Sequence, residues 1–177
     1  NYPHEMSGGM RQRVLIAIAV ACNSKLIIAD EPTTALDVTT QAQVMELMMD
    51  VVKKFGTSLI IVTHNLGLVA RYAQRIYVMY AGRVVESGYT RDILKNPAHP
   101  YTKGLLNSVP RMKGNKNKDL IPIDGMPPKL DQLTDACSFC PRCPYATKDC
   151  SGKAFPQLVK VGENHFAACH LCVKEDA

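Results

Sequence analysis

Leu26-Ile27-Ile28-Ala29-Asp30-Glu31-Pro32-Thr33-Thr34-Ala35-Leu36-Asp37 is a short continuous apolar run that ends in two adjacent carboxylates and a proline-led turn. Four apolar residues in a row, without alternation, predict a strand buried on both faces, as in parallel sheets. Two carboxylates at the end of such a strand need a reason, because charge next to a buried segment is costly. A strand-end Asp followed by Glu suits metal-assisted phosphate chemistry. The first carboxylate holds Mg²⁺ through its waters, and the second polarises an attacking water. Read alone, the pair is equally well an acidic helix start or turn.

Upstream, Ser7-Gly8-Gly9 leads into Arg11-Gln12-Arg13 and the apolar run Val14 to Cys22, which predicts a largely buried helix over 11–22, with Cys22 in the core. Downstream, Val44, Leu47, Met48, Val51 and Val52 give helical spacing over 39–54, closed by Gly56. Ser58 to Thr63 predicts a second apolar strand, ending at His64. A short helix over 66–73 follows, then a hairpin of Arg75–Tyr80 and Arg83–Ser87 around Ala81-Gly82. Thr90 is the expected cap of a helix over 90–96 that Pro97 stops. Strand, helix and strand in this order predict an α/β fold with a parallel sheet covered by helices.

The 177 residues, 46% hydrophobic and 21% charged, suit a globular chain with one sizeable core and some remainder. The longest apolar run, Val14 to Cys22, is about half of what a bilayer crossing requires. A net charge of +5 is too mild to argue for nucleic acid. Six of the seven cysteines lie between Cys137 and Cys172, and nine of the eleven prolines at or after Pro97. Such a half needs a staple. Prolines and glycines over 110–132 read as a connection, with Lys103, Arg111, Lys113, Lys116 and Lys118 a solvated basic stretch. Without an initiator Met or a signal-like run, the sequence reads as a fragment or a processed chain.

Three further features bear on phosphate chemistry. His64 stands at the end of an apolar strand, where parallel sheets place functional loops. Ser7-Gly8-Gly9 opens a helix, so its free N–H groups and positive dipole end make an anion site. Asp37 reads most simply as a helix cap. Each is commonplace alone; their order and spacing are not. Met6-Ser7-Gly8-Gly9-Met10 resembles the ABC signature, Leu26 to Pro32 the Walker B strand, Ala35-Leu36-Asp37 the D-loop, and His64 the switch histidine. Asp30 to Thr39, Tyr80 to Glu86, His99-Pro100-Tyr101-Thr102 and the terminal cysteines resemble, more narrowly, the ATPases of oligopeptide, dipeptide and nickel importers. The chain departs from that pattern at Asn65, where the family has Asp, and at Met10, where ABC proteins in general have Gln.

The resemblance implies the C-terminal part of a P-loop ATPase domain over 1–108, a linker over 109–132 and a Cys-rich metal-binding module over 133–177. It implies that Asp30 binds Mg²⁺, Glu31 is the general base and His64 contacts the γ-phosphate of ATP. Ser7, Gly8 and Gly9 would hold the nucleotide of an opposite ATPase subunit, and Asp37 would link the two sites. The implied partners are that second subunit, transmembrane permeases and, indirectly, a solute-binding protein, with no nucleic acid. The implied place is the cytoplasmic membrane face. A P-loop string G-x-x-x-x-G-K-[ST] is not among the 177 residues, so the chain as given is expected neither to bind ATP tightly nor to hydrolyse it.

By spacing alone, Cys137-x₂-Cys140 with Cys169-x₂-Cys172 reads as a zinc ribbon, with His165 and His170 as further possible ligands. Cys137-x₂-Cys140-x₂-Cys143-Pro144 resembles a ferredoxin-type loop with a misplaced fourth cysteine. Disulfides are the third reading, set low beside cytosolic ATP chemistry. The family resemblance implies a different four, Cys137, Cys143, Cys150 and Cys169, holding a 4Fe-4S cluster, with Zn²⁺ the alternative. Two rival functions remain: an ABC-type DNA-repair ATPase with a zinc module, and a metal-binding interaction module with a vestigial ATPase half.

Overall fold

The computed structural model describes residues 2–109, 122–129, 131 and 133–173. Arg111, Lys113, Lys116 and Lys118 lie outside the described residues. The chain forms two compact units, 1–65 and 66–177.

The first unit contains α1 (Gly8–Ala21), β1 (Leu26–Asp30), α2 (Val38–Phe55) and β2 (Ser58–Val62). β1 and β2 pair in parallel, from Leu26 opposite Ser58 to Asp30 opposite Val62, with α2 as the crossover between them. The α/β order expected from the sequence is therefore present. Asp37 caps α2 at its start, and Gly56 ends it at φ +64°, a left-handed conformation that a side chain would strain. Val44, Met45 and Met48 of α2 are buried, as is Ile16 of α1.

Burial in this unit is shallower than the apolar runs predict. α1 buries only Ile16, and Val14, Leu15 and Ile18 are exposed, as is Cys22. Both strands alternate: Ile27, Ala29, Leu59 and Ile61 are half-buried, whereas Leu26, Ile28, Ile60 and Val62 are exposed. One face of the two-stranded sheet meets the helices of this unit and the other meets none, so an apolar run that could be covered twice is covered once.

The second unit contains α3 (Leu66–Tyr72), β3 (Arg75–Tyr80), β4 (Arg83–Tyr89), α4 (Thr90–Lys95), α5 (Pro100–Asn107), α6 (Lys148–Gly152), β5 (Val159–Gly162) and β6 (His165–Ala167). Its sheet runs β3-β4-β6-β5, antiparallel at every pair. Ala81 (φ +46°) and Gly82 (φ +78°) both sit at positive φ in the hairpin turn, the signature of a tight two-residue connection matching strand twist. Glu86 opposite Ala167 and Ser87 opposite Phe166 join the hairpin to the cysteine-rich segment. Phe139 of that segment lies buried with Tyr80 and Val85, its ring edge-on to Tyr80 at 5.2 Å and tilted against Tyr101 at 5.4 Å.

Two helix ends differ from expectation. The Thr90 hydroxyl donates to the Ala73 carbonyl instead of capping α4, whose N-cap position falls to Tyr89. α5 was not expected, although Pro100 at its first position is a start signal. Its cap is His99, whose Nδ1 accepts the Tyr101 N–H at 3.1 Å.

Candidate functional site

The end of the β1–β2 pair gathers Asp30, Glu31 and His64. Asp30 and Val62 finish their strands side by side, and the Glu31 N–H donates to the Val62 carbonyl at 2.9 Å. That bond turns the chain sharply, with Glu31 at φ +45°. Such a conformation in a non-glycine residue is uncommon and concentrates at functional sites. Glu31 Oε1 lies 2.7 Å from His64 Nδ1 and accepts the His64 N–H at 3.2 Å, while Oε2 accepts the Thr34 hydroxyl at 2.9 Å. These hydrogen bonds, first from the His64 side chain and then from Thr34, hold the Glu31 carboxyl below its ordinary pKa. The His64 side chain is 84% exposed, so with Nδ1 engaged its Nε2 edge remains open to a ligand.

The second expected group forms around the start of α1. Ser7 caps that helix, its Oγ accepting the Met10 N–H at 3.3 Å. A Cβ added at Gly8 would stand 3.0 Å from Leu36 Cδ2, and one at Gly9 would stand 2.7 Å from Thr40 Cγ2. The two glycines thus let the α1 start pack against the turn before α2. Asp37 Oδ1 accepts the Thr40 N–H at 2.9 Å, so Asp37 does cap α2. Sequence reasoning missed Gln41. Its Nε2 donates to the carbonyls of Thr33 (3.2 Å) and Leu36 (3.1 Å), stapling the turn that carries Thr34 and Ala35, the latter at φ +62°. An amide one helical turn past a capping Asp was the available signal.

Hydrogen bonding from Thr40, by its backbone N–H above all, keeps the Asp37 carboxyl below its ordinary pKa. A carboxylate depressed in the folded state contributes stability above its unfolded pKa and loses it as pH falls through the folded one. Asp37→Ala is therefore expected to speed amide exchange at Thr39 and Thr40 at neutral pH, and the wild type is expected to approach the variant once acid protonates Asp37. Exchange measured by NMR across pH 7 to 2 checks both.

In the second unit the cysteines form a separate neighbourhood. Cys150 and Cys169 are buried; Cys137, Cys140, Cys143 and Cys172 are partly so. The Cys137 N–H donates to the Cys150 carbonyl at 3.3 Å, and the Thr147 N–H to Cys150 Sγ at 3.5 Å. Burial is the main cause raising the Cys137, Cys140 and Cys143 thiols above their ordinary pKa; Cys137 and Cys143 also feel the charges of Cys150 and Cys169, and Cys140 those of Cys150 and Cys137. A hydrogen bond from the Cys169 thiol lowers Cys172 to about 7 and raises Cys169. Arg142 braces the loop, donating to the carbonyls of Asp124 (2.8 Å) and Ile123 (3.0 Å) and to Tyr80 Oη (3.3 Å). Among the described residues, no three His, Cys, Asp or Glu side chains are grouped so as to hold a metal ion.

His165, a possible zinc ligand by spacing, is engaged elsewhere. Its Nε2 lies 2.6 Å from Glu86 Oε1, and Glu86 is fully buried. Glu86 also accepts the N–H groups of Ala98 (2.8 Å) and His99 (3.0 Å).

Comparison with known proteins separates the same two regions. Residues 1–34 match the ABC transporter family, and residues 85–150 match the family described as the oligopeptide/dipeptide transporter, C-terminal region. The oligopeptide transport ATP-binding protein AppD of Bacillus subtilis is 51% identical over 99% of this chain and 53% of its own length. OppD of Salmonella typhimurium, also an oligopeptide transport ATP-binding protein, is 49% identical over 98% of this chain and 51% of its own. The structure of cbiO1 from Clostridium perfringens, part of the ABC transporter complex cbiONQ, aligns with TM-score 0.50 and 33% identity over 52% of this chain and 37% of that one. The chain spans about half the length of the curated relatives it matches. Its first residues thus match one of these families and its hairpin and cysteine loop the other, and over its length the chain is similar to about half of each of these oligopeptide transport ATP-binding proteins.

Proposed function

We propose that this chain is part of an ATPase subunit that drives uptake of oligopeptides or dipeptides by an ABC importer. The observation that carries the reading is the Glu31–His64 contact at the end of two paired parallel strands. A carboxylate held ionised beside an open imidazole can take a proton from water while the imidazole meets a phosphate oxygen. In this reading Glu31 is the general base and His64 the residue that contacts the terminal phosphate of ATP. Asp30, a strand-end carboxylate next to Glu31, suits Mg²⁺ held through water, and that ion would neutralise charge on the phosphate oxygens.

Ser7, Gly8 and Gly9, at the start of the fourteen-residue α1, would offer N–H groups to the nucleotide of a second ATPase subunit, with Asp37 beside them. Among the described residues no helix is long and apolar enough to cross a membrane. Membrane attachment would come from docking to permease subunits at the cytoplasmic face, with a solute-binding protein delivering the peptide. The relatives named above are peptide import proteins and lend no support to a DNA-repair role. ATP-dependent accumulation of a labelled di- or oligopeptide in proteoliposomes, using the full-length protein with its permeases and solute-binding protein, tests this. Hydrolysis without accumulation of any peptide would overturn the transport reading.

The division into an ATPase part over 1–108, a linker over 109–132 and a cysteine-rich part over 133–177 belongs to the same proposal, with Cys137, Cys143, Cys150 and Cys169 holding a 4Fe-4S cluster. The Cys137 and Cys143 thiols both feel the charges of Cys150 and Cys169, while buried Ser138 Oγ and His170 Nε2, adjacent in sequence to Cys137 and Cys169, have no hydrogen-bond partner among the described residues. Zn²⁺ is the alternative occupant of the same four thiols. Such a group would supply folding energy to this Pro-rich segment. Anaerobically purified protein is expected to carry about four irons per chain. Stoichiometric zinc without iron would replace the cluster with a zinc site.

A further inference from the structure

The two oxygens of the Glu31 carboxylate are tied differently. Oε1 accepts the His64 N–H at 3.2 Å and lies 2.7 Å from His64 Nδ1. A carboxylate only accepts, so the ring proton sits on Nδ1 and both lone pairs of Oε1 are used. Oε2 accepts one hydrogen bond among the described residues, from the Thr34 hydroxyl at 2.9 Å, and keeps a lone pair. That hydroxyl has committed its only proton, so its remaining capacity is to accept. A water beside Oε2 therefore meets two acceptors, one on each residue, and can donate a proton to each.

Thr34 is exposed, and an exposed hydroxyl holds a carboxylate in place only where its own backbone is fixed. Gln41, in the first turn of α2, fixes it. Its Nε2 donates to the carbonyls of Thr33 (3.2 Å) and Leu36 (3.1 Å), the residues on either side of Thr34 and Ala35. The Thr33 carbonyl also accepts the Leu36 N–H at 3.3 Å, and the Glu31 carbonyl accepts the Thr34 N–H at 3.2 Å. Between these bonds Ala35 sits at φ +62°, a conformation that a non-glycine residue keeps only when its surroundings impose it.

We propose that Thr34 and Gln41 are positioning residues for hydrolysis: the Thr34 hydroxyl sets Oε2 as the Glu31 oxygen that takes the water's proton, and the Gln41 amide holds the turn that brings Thr34 there. The inference rests on the reading of Glu31 as the general base. In that step the water's proton passes to Glu31 Oε2, the water oxygen bonds to the terminal phosphorus of ATP, and the bond from that phosphorus to the bridging oxygen breaks, releasing ADP. Gln41 acts through Thr34, so the two residues work in series.

The test measures kcat and KM for ATP on the full-length protein and its variants. Thr34→Val keeps the shape of the side chain and loses the donor. Its kcat is expected to fall about 10- to 100-fold, the range for a lost hydrogen bond to a charged group, with KM within about twofold of wild type. Thr34→Ser, which restores the hydroxyl, should return kcat to within about threefold of wild type. Gln41→Met, similar in length but without donors, should lower kcat about 3- to 10-fold. Combining Thr34→Val with Gln41→Met should be no slower than Thr34→Val alone, because residues in series do not add. Wild-type kcat in Thr34→Val, no recovery in Thr34→Ser, a rise in KM matching the fall in kcat, or multiplied effects in the double variant would each overturn the inference. Glu31→Gln, measured alongside, keeps the two readings apart. Lost hydrolysis there with wild-type kcat in Thr34→Val overturns the positioning inference alone; hydrolysis that survives in Glu31→Gln overturns the general-base reading and this inference together.

Discussion

Glu31→Gln in the full-length protein is expected to lower the rate of ATP hydrolysis by about 10² to 10⁴-fold, the usual contribution of a positioned general base. ATP binding should persist. The amide keeps the size of the carboxylate and can keep one oxygen against the His64 N–H, so the strand-end turn is retained. It cannot accept a proton from water, and its NH₂ replaces an acceptor that now faces either the His64 ring or the Thr34 hydroxyl. Single-turnover hydrolysis and calorimetric ATP binding, measured on the same preparation, separate the two effects. Equal hydrolysis in wild type and variant would remove Glu31 from the base role. Loss of binding together with hydrolysis would point to a collapsed turn instead.

Glu86→Ala is expected to cost about 3 to 5 kcal/mol of stability, since each buried donor left without its acceptor costs roughly 1 to 3 kcal/mol and several are left at once. Glu86 is fully buried and serves three donors at once: the Ala98 and His99 N–H groups and, when its ring carries the proton, His165 Nε2. Alanine leaves the two backbone donors at the start of α5 without acceptors and His165 Nε2 without its hydrogen-bond partner. Urea unfolding at pH 7, followed by circular dichroism, checks this; a loss below about 1 kcal/mol would mean that water replaces the carboxylate.

The same corner sets a pH dependence. Burial, against the pull of Glu86 and with a push from Lys103, lowers His99 to about 4. The unfolded chain takes up a proton near the ordinary histidine pKa, about 6.5, whereas folded His99 resists until about 4. Stability therefore falls as pH drops from 6.5 towards 4. His99→Asn, whose side-chain oxygen can still accept the Tyr101 N–H, should flatten that slope.

The first unit was readable because its chemistry is local. Ser7, Asp37 and Gly56 are cap positions with side chains or φ values that only certain residues satisfy, and the β1–α2–β2 order follows from apolar periodicity. What the sequence overstated was burial, since periodicity reports which residues tolerate cover and not how many partners are present to provide it. The contact of Glu31 with His64, 33 positions apart, was legible only as two strand ends expected to lie together. The second unit was harder. β5 and β6 are four and three residues long, too short to display a period, and α5 announces itself only by a proline. His165 looked like a metal ligand because cysteines surround it in sequence, and nothing local says that its partner is a glutamate in a distant hairpin.

That partnership has a consequence during synthesis. His165 and Glu86 are separated by 79 positions, and β4 gains its second neighbour only when β6 arrives. Long-range strand pairing of this kind closes slowly, because the loop entropy must be overcome first. On the ribosome the β3–β4 hairpin therefore waits with one edge unpaired, and the residue in the middle of that edge is a carboxylate. An inward-pointing charge on an open strand discourages pairing with another nascent chain. Glu86 would thus guard the hairpin against aggregation until His165 emerges and turns the same carboxylate into the clasp of the finished sheet.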